Sequence, residues 1–444
     1  MRLPMSIQLD RPVSDAPHQV QPMGTVAGPM QDGSIVFGLL TIYLLLDFIR
    51  PPFVWEFPKI ISVILVIAWI TKASKVWCSQ MTSYVCFLGV MGFGILVAAN
   101  TYEAVWTTYG MLILLMGVCA PLINFTDSIG KLRRLIHWIL GIFLYMAVYA
   151  IFNDGFGPAG TEGGQDENYV AAAINLVIPL ALFSFLSEKT TWKKALFAAV
   201  VGLYLLAIVT RLSRGGFVCL LCGLGFSLLK TPKKGLAILA IVLIFGFLGV
   251  VAGPSYWEEM STITDTSEGT ADLRFEFWEI AVREFLAYPL TGVGPNNYRW
   301  RTGEFMSAEQ LQKFDRVLVS HVHSTYFQLL AEMGIAGYLV FGFFLYRTYR
   351  DYRYVDQLPD RYRTLLAGRS PAAEEDLRLM QVYARGLMAG IIGYLASVAF
   401  LSSLYYSHLW IAGSMMAALY AIAMRRINEE DCAPARLDTT GVEK

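Results

Sequence analysis

The sequence predicts an all-α polytopic membrane protein with about twelve transmembrane helices and one large extracytoplasmic loop before the tenth. Three observations carry that reading. The 444 residues are 55% hydrophobic with a mean hydropathy of +0.49, above the roughly 45–50% apolar usage of soluble domains, so the bilayer must bury much of the apolar surface. The apolar residues gather into runs of bilayer-crossing length. Lys and Arg collect in alternate connections between those runs. Basic and acidic residues are equal at 35 each, and no basic stretch interleaves with aromatics, so no nucleic-acid partner is expected. The six cysteines fall mostly inside apolar runs and indicate neither a disulfide framework nor a zinc site. Cys219 and Cys222 have CxxC spacing, but the apolar helix around them argues against a redox role.

Residues 1–33, rich in Pro, Gln, Gly and Asp and without an apolar signal-type run, are expected to form a disordered cytoplasmic tail. Nine spans fill 34–252, near 34–49, 56–71, 82–99, 103–124, 134–152, 169–187, 193–211, 215–230 and 235–252. Residues 253–323 form the extracytoplasmic loop. Three further spans, near 325–349, 384–403 and 405–424, occupy 324–424 and precede a cytoplasmic tail at 425–444. Twelve spans put both termini on one side. That side holds 25 of the 35 basic residues and is therefore assigned to the cytoplasm. The opposite face receives 153–168, which has no basic residue, and the long loop, so the functional groups are expected outside the cytoplasm.

Within that frame some residues stand out. Thr210 to Gly216 places Arg211 and Arg214 in a very short outer connection, where both the positive-inside bias and desolvation disfavour them. An anion beside them would account for the placement, with Gly215 and Gly216 allowing close backbone approach; the alternative is that both arginines snorkel to lipid headgroups. In the loop, Asp272 is expected to cap a helix over 273–286, with Leu273, Phe277, Ile280 and Ala281 on one face, Trp278, Val282 and Phe285 beside them, and Arg274 in its first turn. Pro289 ends that helix, and Gly292-Val293-Gly294 reads as a tight turn. His321 and His323 stand just before Thr325, which with Gln328 reads as a capping box opening the tenth span. Two of five histidines at such a boundary suggest proton chemistry or ligation, the alternative being interfacial caps or anchors. Glu332, inside the tenth span, is either a structural hydrogen-bond partner or a substrate contact. Gln165, Asp166, Glu167 and Asn168 offer polar groups that a sugar could use, or form a solvated acidic loop.

Three of these stretches, in this order around a long outer loop, resemble the O-antigen ligase and polymerase family: Ser213-Arg214-Gly215-Gly216 opening a span, Arg274 and Trp278 ahead of Tyr288-Pro289-Leu290-Thr291-Gly292-Val293-Gly294-Pro295, and His323-Ser324-Thr325-Tyr326 running into Glu332-Met333-Gly334. The likeness covers residues 165–345, with the rest similar by topology. It implies a GT-C-like membrane glycosyltransferase of the bacterial inner membrane, its site facing the periplasm, acting by inversion with no required metal and no cofactor. The implied partners are a polyprenyl-diphosphate-linked glycan donor, a lipid or glycan acceptor, and membrane lipids. Carried onto this chain, His323 becomes the catalytic base and Arg214 and Arg274 the diphosphate ligands, with Arg211 in reserve. Asp166, Glu167, Asn168, Tyr326, Glu332 and His321 become possible glycan or acceptor contacts. Family members usually carry Asn-Ser after the histidine where this chain has Ser324-Thr325, and His321 is extra, so the choice of histidine stays open here. Polymerase in place of ligase differs only in acceptor. A transporter of lipid-linked glycan is the reading from another class, for which intramembrane charges and paired broken helices would be expected.

Overall fold

A computed structural model describes residues 22–23, 33–50, 57–209, 214–253, 257–258, 269–313, 321–361 and 371–432. Among these, a helix coincides with each of the twelve expected spans: α1 (Ser34–Ile49), α2 (Phe57–Thr71), α3 (Ser79–Ile95), α4 (Thr101–Phe125), α5 (Ile129–Phe152), α6 (Glu167–Ser187), α7 (Thr191–Val209), α8 (Arg214–Lys230), α9 (Lys234–Val251), α13 (Thr325–Arg361), α14 (Pro371–Ser397) and α15 (Ser407–Cys432). Three shorter helices, α10 (Gly269–Ala287), α11 (Tyr298–Phe305) and α12 (Ala308–Lys313), belong to the long loop. Among the described residues, eight helices are long and apolar enough to cross a membrane, and α1, α2 and α8 are shorter apolar ones. The 17-residue α3 is less apolar because its first turn carries Ser79, Gln80, Thr82 and Ser83, and Gln80 is buried there to donate to Asp351 (2.6 Å). The chain is an all-α polytopic membrane protein.

Small residues set the centre of the bundle. Gly386 and Gly390 of α14 lie against the backbone of Leu180 and Leu176 in α6, and Gly393 lies against the Cys219 carbonyl of α8. Without side chains at these points the helix backbones approach closely, which is how helices associate where lipid supplies no hydrophobic drive. The apolar windows of α6 and α15 are 89% buried, against 17% for α9, so α6, α14 and α15 form the core and α9 faces outward.

Side-chain contacts sort the connections to two opposite ends. At one end Lys189 meets Glu375 (3.1 Å), Lys233 donates to Leu186 O (2.7 Å), Arg385 pairs with Asp356 (2.6 Å), and Arg425 donates to Asp127 O (3.4 Å). Gly33 adjoins Phe125 and Lys131 there, so both ends of the described bundle lie on the Lys- and Arg-rich side. Pro22–Met23, within the stretch expected to be a tail, pairs antiparallel with Lys75–Val76, and the side chain of Asn124 holds both Val76 N–H (2.8 Å) and Val76 O (3.2 Å). The other end gathers the 153–166 loop, α10 to α12, the histidines and the connection between α14 and α15.

Candidate functional site

α10 begins at Gly269, earlier than the sequence predicted. Arg274 therefore sits in the second turn and not in the first as expected, beyond the turn where the helix dipole acts most strongly. The physical reason is that Ala271 and Asp272 are compatible with the helix itself, Asp being favoured within a first turn. The helix lies against the bundle. Trp278 Nε1 donates to Val322 O (3.2 Å), and its ring stacks on Phe327 (4.9 Å between centroids, 14°). Phe277 stacks on His323 (6.3 Å, 26°), while Ile280 and Ala281 are fully buried with Tyr298, Val322 and Ala331. One residue on that face is not apolar. Glu284 is 0% exposed, neither carboxylate oxygen has a hydrogen-bond partner, and burial with Glu332 nearby pushes its pKa up to about 10.

His323 has φ +54, a left-handed conformation that is uncommon outside glycine and clusters at functional sites. Its imidazole is half-buried between the Phe277 ring and His321 (6.2 Å between centroids). Desolvation first, then the Arg274 guanidinium and His321, lower its pKa, and Asp166 works in the opposite sense. His321 stands at the rim, its pKa lowered by partial desolvation and by Arg299, again with Asp166 opposing. Both imidazoles thus sit between cationic groups and the Asp166 carboxylate, and both are held toward the neutral form.

The expected capping box does not form, because the N-cap lies one residue earlier and the Gln328 side chain is used elsewhere. Ser324 is the N-cap of α13: its carbonyl accepts from Gln328 N–H (2.8 Å) and its hydroxyl is 3.5 Å from Phe327 N–H. Thr325 is the first helical residue, and its hydroxyl instead reaches across to donate to Leu401 O (2.6 Å) and to accept from Ser403 N–H (2.9 Å). Gln328 accepts from Leu404 N–H (3.4 Å). Tyr326 donates to Leu395 O (2.7 Å), so its hydroxyl is taken by α14.

α13 breaks at Gly334, whose φ +57 and ψ −160 are open to glycine alone. The Pro289–Gly294 turn is threaded into the break. Val293 and Gly294 N–H donate to Ala331 O (2.8 Å) and Glu332 O (3.1 Å), and Ile335 and Ala336 N–H donate to Pro289 O (2.9 Å) and Leu290 O (3.2 Å). Gly292, at φ +66, lies against the Ala331–Met333 backbone with no room for a Cβ. The Gly-Val-Gly motif is therefore more than a turn: it closes the open backbone of a broken helix. Glu332 is 2% exposed and accepts from Tyr405 OH (2.6 Å), Asn296 N–H (3.1 Å), Tyr298 N–H (3.4 Å) and Gln328 Nε2 (3.4 Å), which makes it a hub joining α11, α13 and the α14–α15 connection.

Asp166 caps α6 by accepting from Asn168 N–H (2.8 Å), with Glu167 in the first turn, and brings this acidic end toward the histidines. The loop before it is closed by Gly157 N–H to Gly164 O (2.7 Å). It is tied to α15 by Glu162, whose carboxylate accepts from Ser407 N–H and hydroxyl (2.7 Å each). Arg214 is the first residue of α8, and Asn175 of α6 donates to Gly216 O in the same turn (2.9 Å). Arg211 lies outside the described residues. Cys219 and Cys222 are free thiols.

The segment that joins these pieces was not singled out in the sequence. The apolar run 384–403 reads as one span, but α14 ends at Ser397, and residues 398–406 turn across the site end. There Phe400 meets Trp278 (6.4 Å between centroids), Leu401 O takes Thr325, and Ser402 O accepts from Tyr169 OH (3.1 Å). Glu103, also missed, pairs with Arg299 (3.0 Å) and accepts from Asn296 Nδ2 (3.2 Å), locking α11 to α4. The buried hydroxyl pairings gave no sequence signal, because Ser and Thr are common in any span. Residues 197–342 match the family model of O-antigen ligase, a segment that takes in Arg214, Arg274, His323 and Glu332 but neither Asp166 nor the 398–406 turn. No curated protein matches the chain.

Proposed function

From the O-antigen ligase domain carried by residues 197–342, we propose that this membrane glycosyltransferase moves a glycan from a polyprenyl-diphosphate carrier to an acceptor hydroxyl on the periplasmic face of a bacterial inner membrane. The observation that carries the reading is the convergence of Arg274 and His323 across the α10–α13 contact. It sets a permanently charged planar donor in electrostatic reach of an imidazole held toward its neutral form. In the transfer, the bond between the anomeric carbon and the diphosphate oxygen breaks and its electron pair leaves with the diphosphate. Arg274, with Arg214 and Arg211, holds that charge through paired N–H donors. The acceptor oxygen attacks from the opposite face, which inverts the configuration, and His323 takes its proton. Asp166, Glu167, Asn168 and His321 are assigned to the glycan or acceptor. Charge neutralisation falls to the arginines, and no metal or cofactor is given a role.

The transporter reading draws on one feature, the break in α13. Its open backbone groups are already taken by the Pro289–Gly294 turn, which leaves them closed to an ion or substrate pathway of the kind broken transporter helices form. A purified-protein assay with a defined donor and acceptor tests the proposal: glycoside formation lost in both R274A and H323A is the expected result. Movement of labelled lipid-linked glycan across vesicles without a new glycosidic bond would replace it with transport. Supplying a lipid acceptor and a glycan acceptor in parallel separates ligase from polymerase.

A further inference from the structure

We propose that the Ser397 hydroxyl is a direct ligand of a phosphate oxygen of the lipid-diphosphate donor, bound at the first turn of α8. The assignment rests on the donor-site reading above and adds a residue outside the segment that matches the family.

Ser397 is 0% exposed, and its hydroxyl has no hydrogen-bond partner. Other buried helical hydroxyls behave differently. Ser83, Ser184, Ser227, Thr348 and Ser414 each donate to the carbonyl four residues back, at 2.7 to 3.1 Å. That bond is the ordinary way for a serine or threonine to be satisfied inside a helix. Ser397, as the last residue of α14, makes none, and a buried hydroxyl without a partner is a desolvation cost that a ligand bond would remove.

The hydroxyl also has a place to act. It lies 3.6 Å from where a Cβ would stand on Gly215, in the first turn of the 17-residue α8. The glycine keeps that space open. The start of a helix carries the positive end of its dipole and favours phosphate. Asn175, 3% exposed, grips the same turn from α6 through Gly216 O (2.9 Å) and fixes its position. Three residues beyond Ser397, Phe400 touches Trp278, the residue one turn after Arg274 on α10. A buried hydroxyl thus stands at a helix start, three residues before the chain meets the arginine-bearing helix, and a diphosphate, with two phosphates, is a group that can use both.

The test measures binding of polyprenyl diphosphate to full-length protein in detergent, with phosphatidylglycerol and inorganic pyrophosphate as separate probes. Ser397→Ala is expected to weaken polyprenyl diphosphate binding roughly tenfold, as for loss of one hydrogen bond to a charged group. Ser397→Thr keeps the hydroxyl and is expected to stay near wild type. Gly215→Ala, which fills the space beside the hydroxyl, is expected to weaken binding while leaving the ligand-free melting temperature unchanged or higher. The ligand-free melting temperature of Ser397→Ala is also expected to hold, because no bond is lost; a clear fall would show that the hydroxyl is already paired and would overturn the assignment. Wild-type binding in Ser397→Ala alongside impaired binding in Arg274→Ala would remove Ser397 and leave the donor site standing. Wild-type binding in both would take the donor-site reading down as well. An equal Ser397-dependent loss with phosphatidylglycerol would make the site a headgroup anchor and overturn the diphosphate assignment.

Discussion

A histidine acts as a base only while its ring is neutral, so the surroundings of His323 set the pH range in which it can work. Burial and the Arg274 guanidinium both lower its pKa from the usual value of about 6.5. The neutral form then dominates at pH 7, and kcat/KM is expected to fall only as pH drops through a midpoint below that value. Removing Arg274 takes away one of the lowering influences, so Arg274→Ala should move the midpoint upward in whatever activity remains; a midpoint that does not move would separate the two residues. His323→Ala is expected to reduce transfer by roughly 100- to 10,000-fold while leaving donor binding largely intact, because a base contributes when the acceptor attacks and arginines hold the diphosphate before and during that step. A larger defect in His321→Ala would identify the rim histidine as the base. Kinetics on purified variants, with donor binding measured separately, decides between them.

Two elements carry the site, and one of them has a buried carboxyl that sequence pattern did not reveal. α10 packs through Phe277, Trp278, Ile280 and Ala281, but the same face buries Glu284 with both oxygens unpartnered. Its folded pKa of about 10 lies above the unfolded carboxylate value, so the folded state binds the extra proton. Stability is then fully present below about pH 4.5 and is lost progressively as pH rises toward 10. Glu284→Gln is expected to flatten that slope in thermal melts taken from pH 5 to 9, and an unchanged slope would place the carboxyl in water. α13 depends on Gly334 and the turn seated in its break. Gly292→Ala is expected to destabilise the loop by about 1–3 kcal/mol or more, since it combines a left-handed backbone with a collision against Ala331–Met333. Protease sensitivity of α10 to α12 should rise in that variant; an unchanged digest would show that the turn tolerates a side chain.

At the scale of the whole molecule, the bundle has two chemically different ends. Lys189, Lys233, Arg385 and Arg425 gather at one, while the histidines, the α6 cap and the 398–406 turn meet at the other. The positive-inside rule assigns the basic end to the cytoplasm. Reporter fusions are expected to read cytoplasmic at Lys193 and Arg361 and periplasmic at Gly163 and Met306. An inside signal at Met306 would invert the site and remove access to a periplasmic donor.

The sequence alone located the apolar helices, because a membrane-spanning segment must satisfy its own backbone and so advertises itself as a continuous apolar run. It also pointed to His323, a titratable group where a polar segment gives way to an apolar span, while Arg274, expected in a first turn, lies in a second. Some boundaries were legible only roughly: α10 starts before its expected cap, and α14 stops inside its apolar run, because local propensity cannot register what a neighbouring helix will offer. What tertiary structure decided is how those residues meet. The turn seated at the Gly334 break, the close approach of Gly292, three of the four donors on Glu332 and the reach of Thr325 to Leu401 all join backbone or side-chain groups far apart in the chain. Each is a pairing of buried polar groups, and the need for a partner is written in the residue while the partner's identity is fixed only by packing.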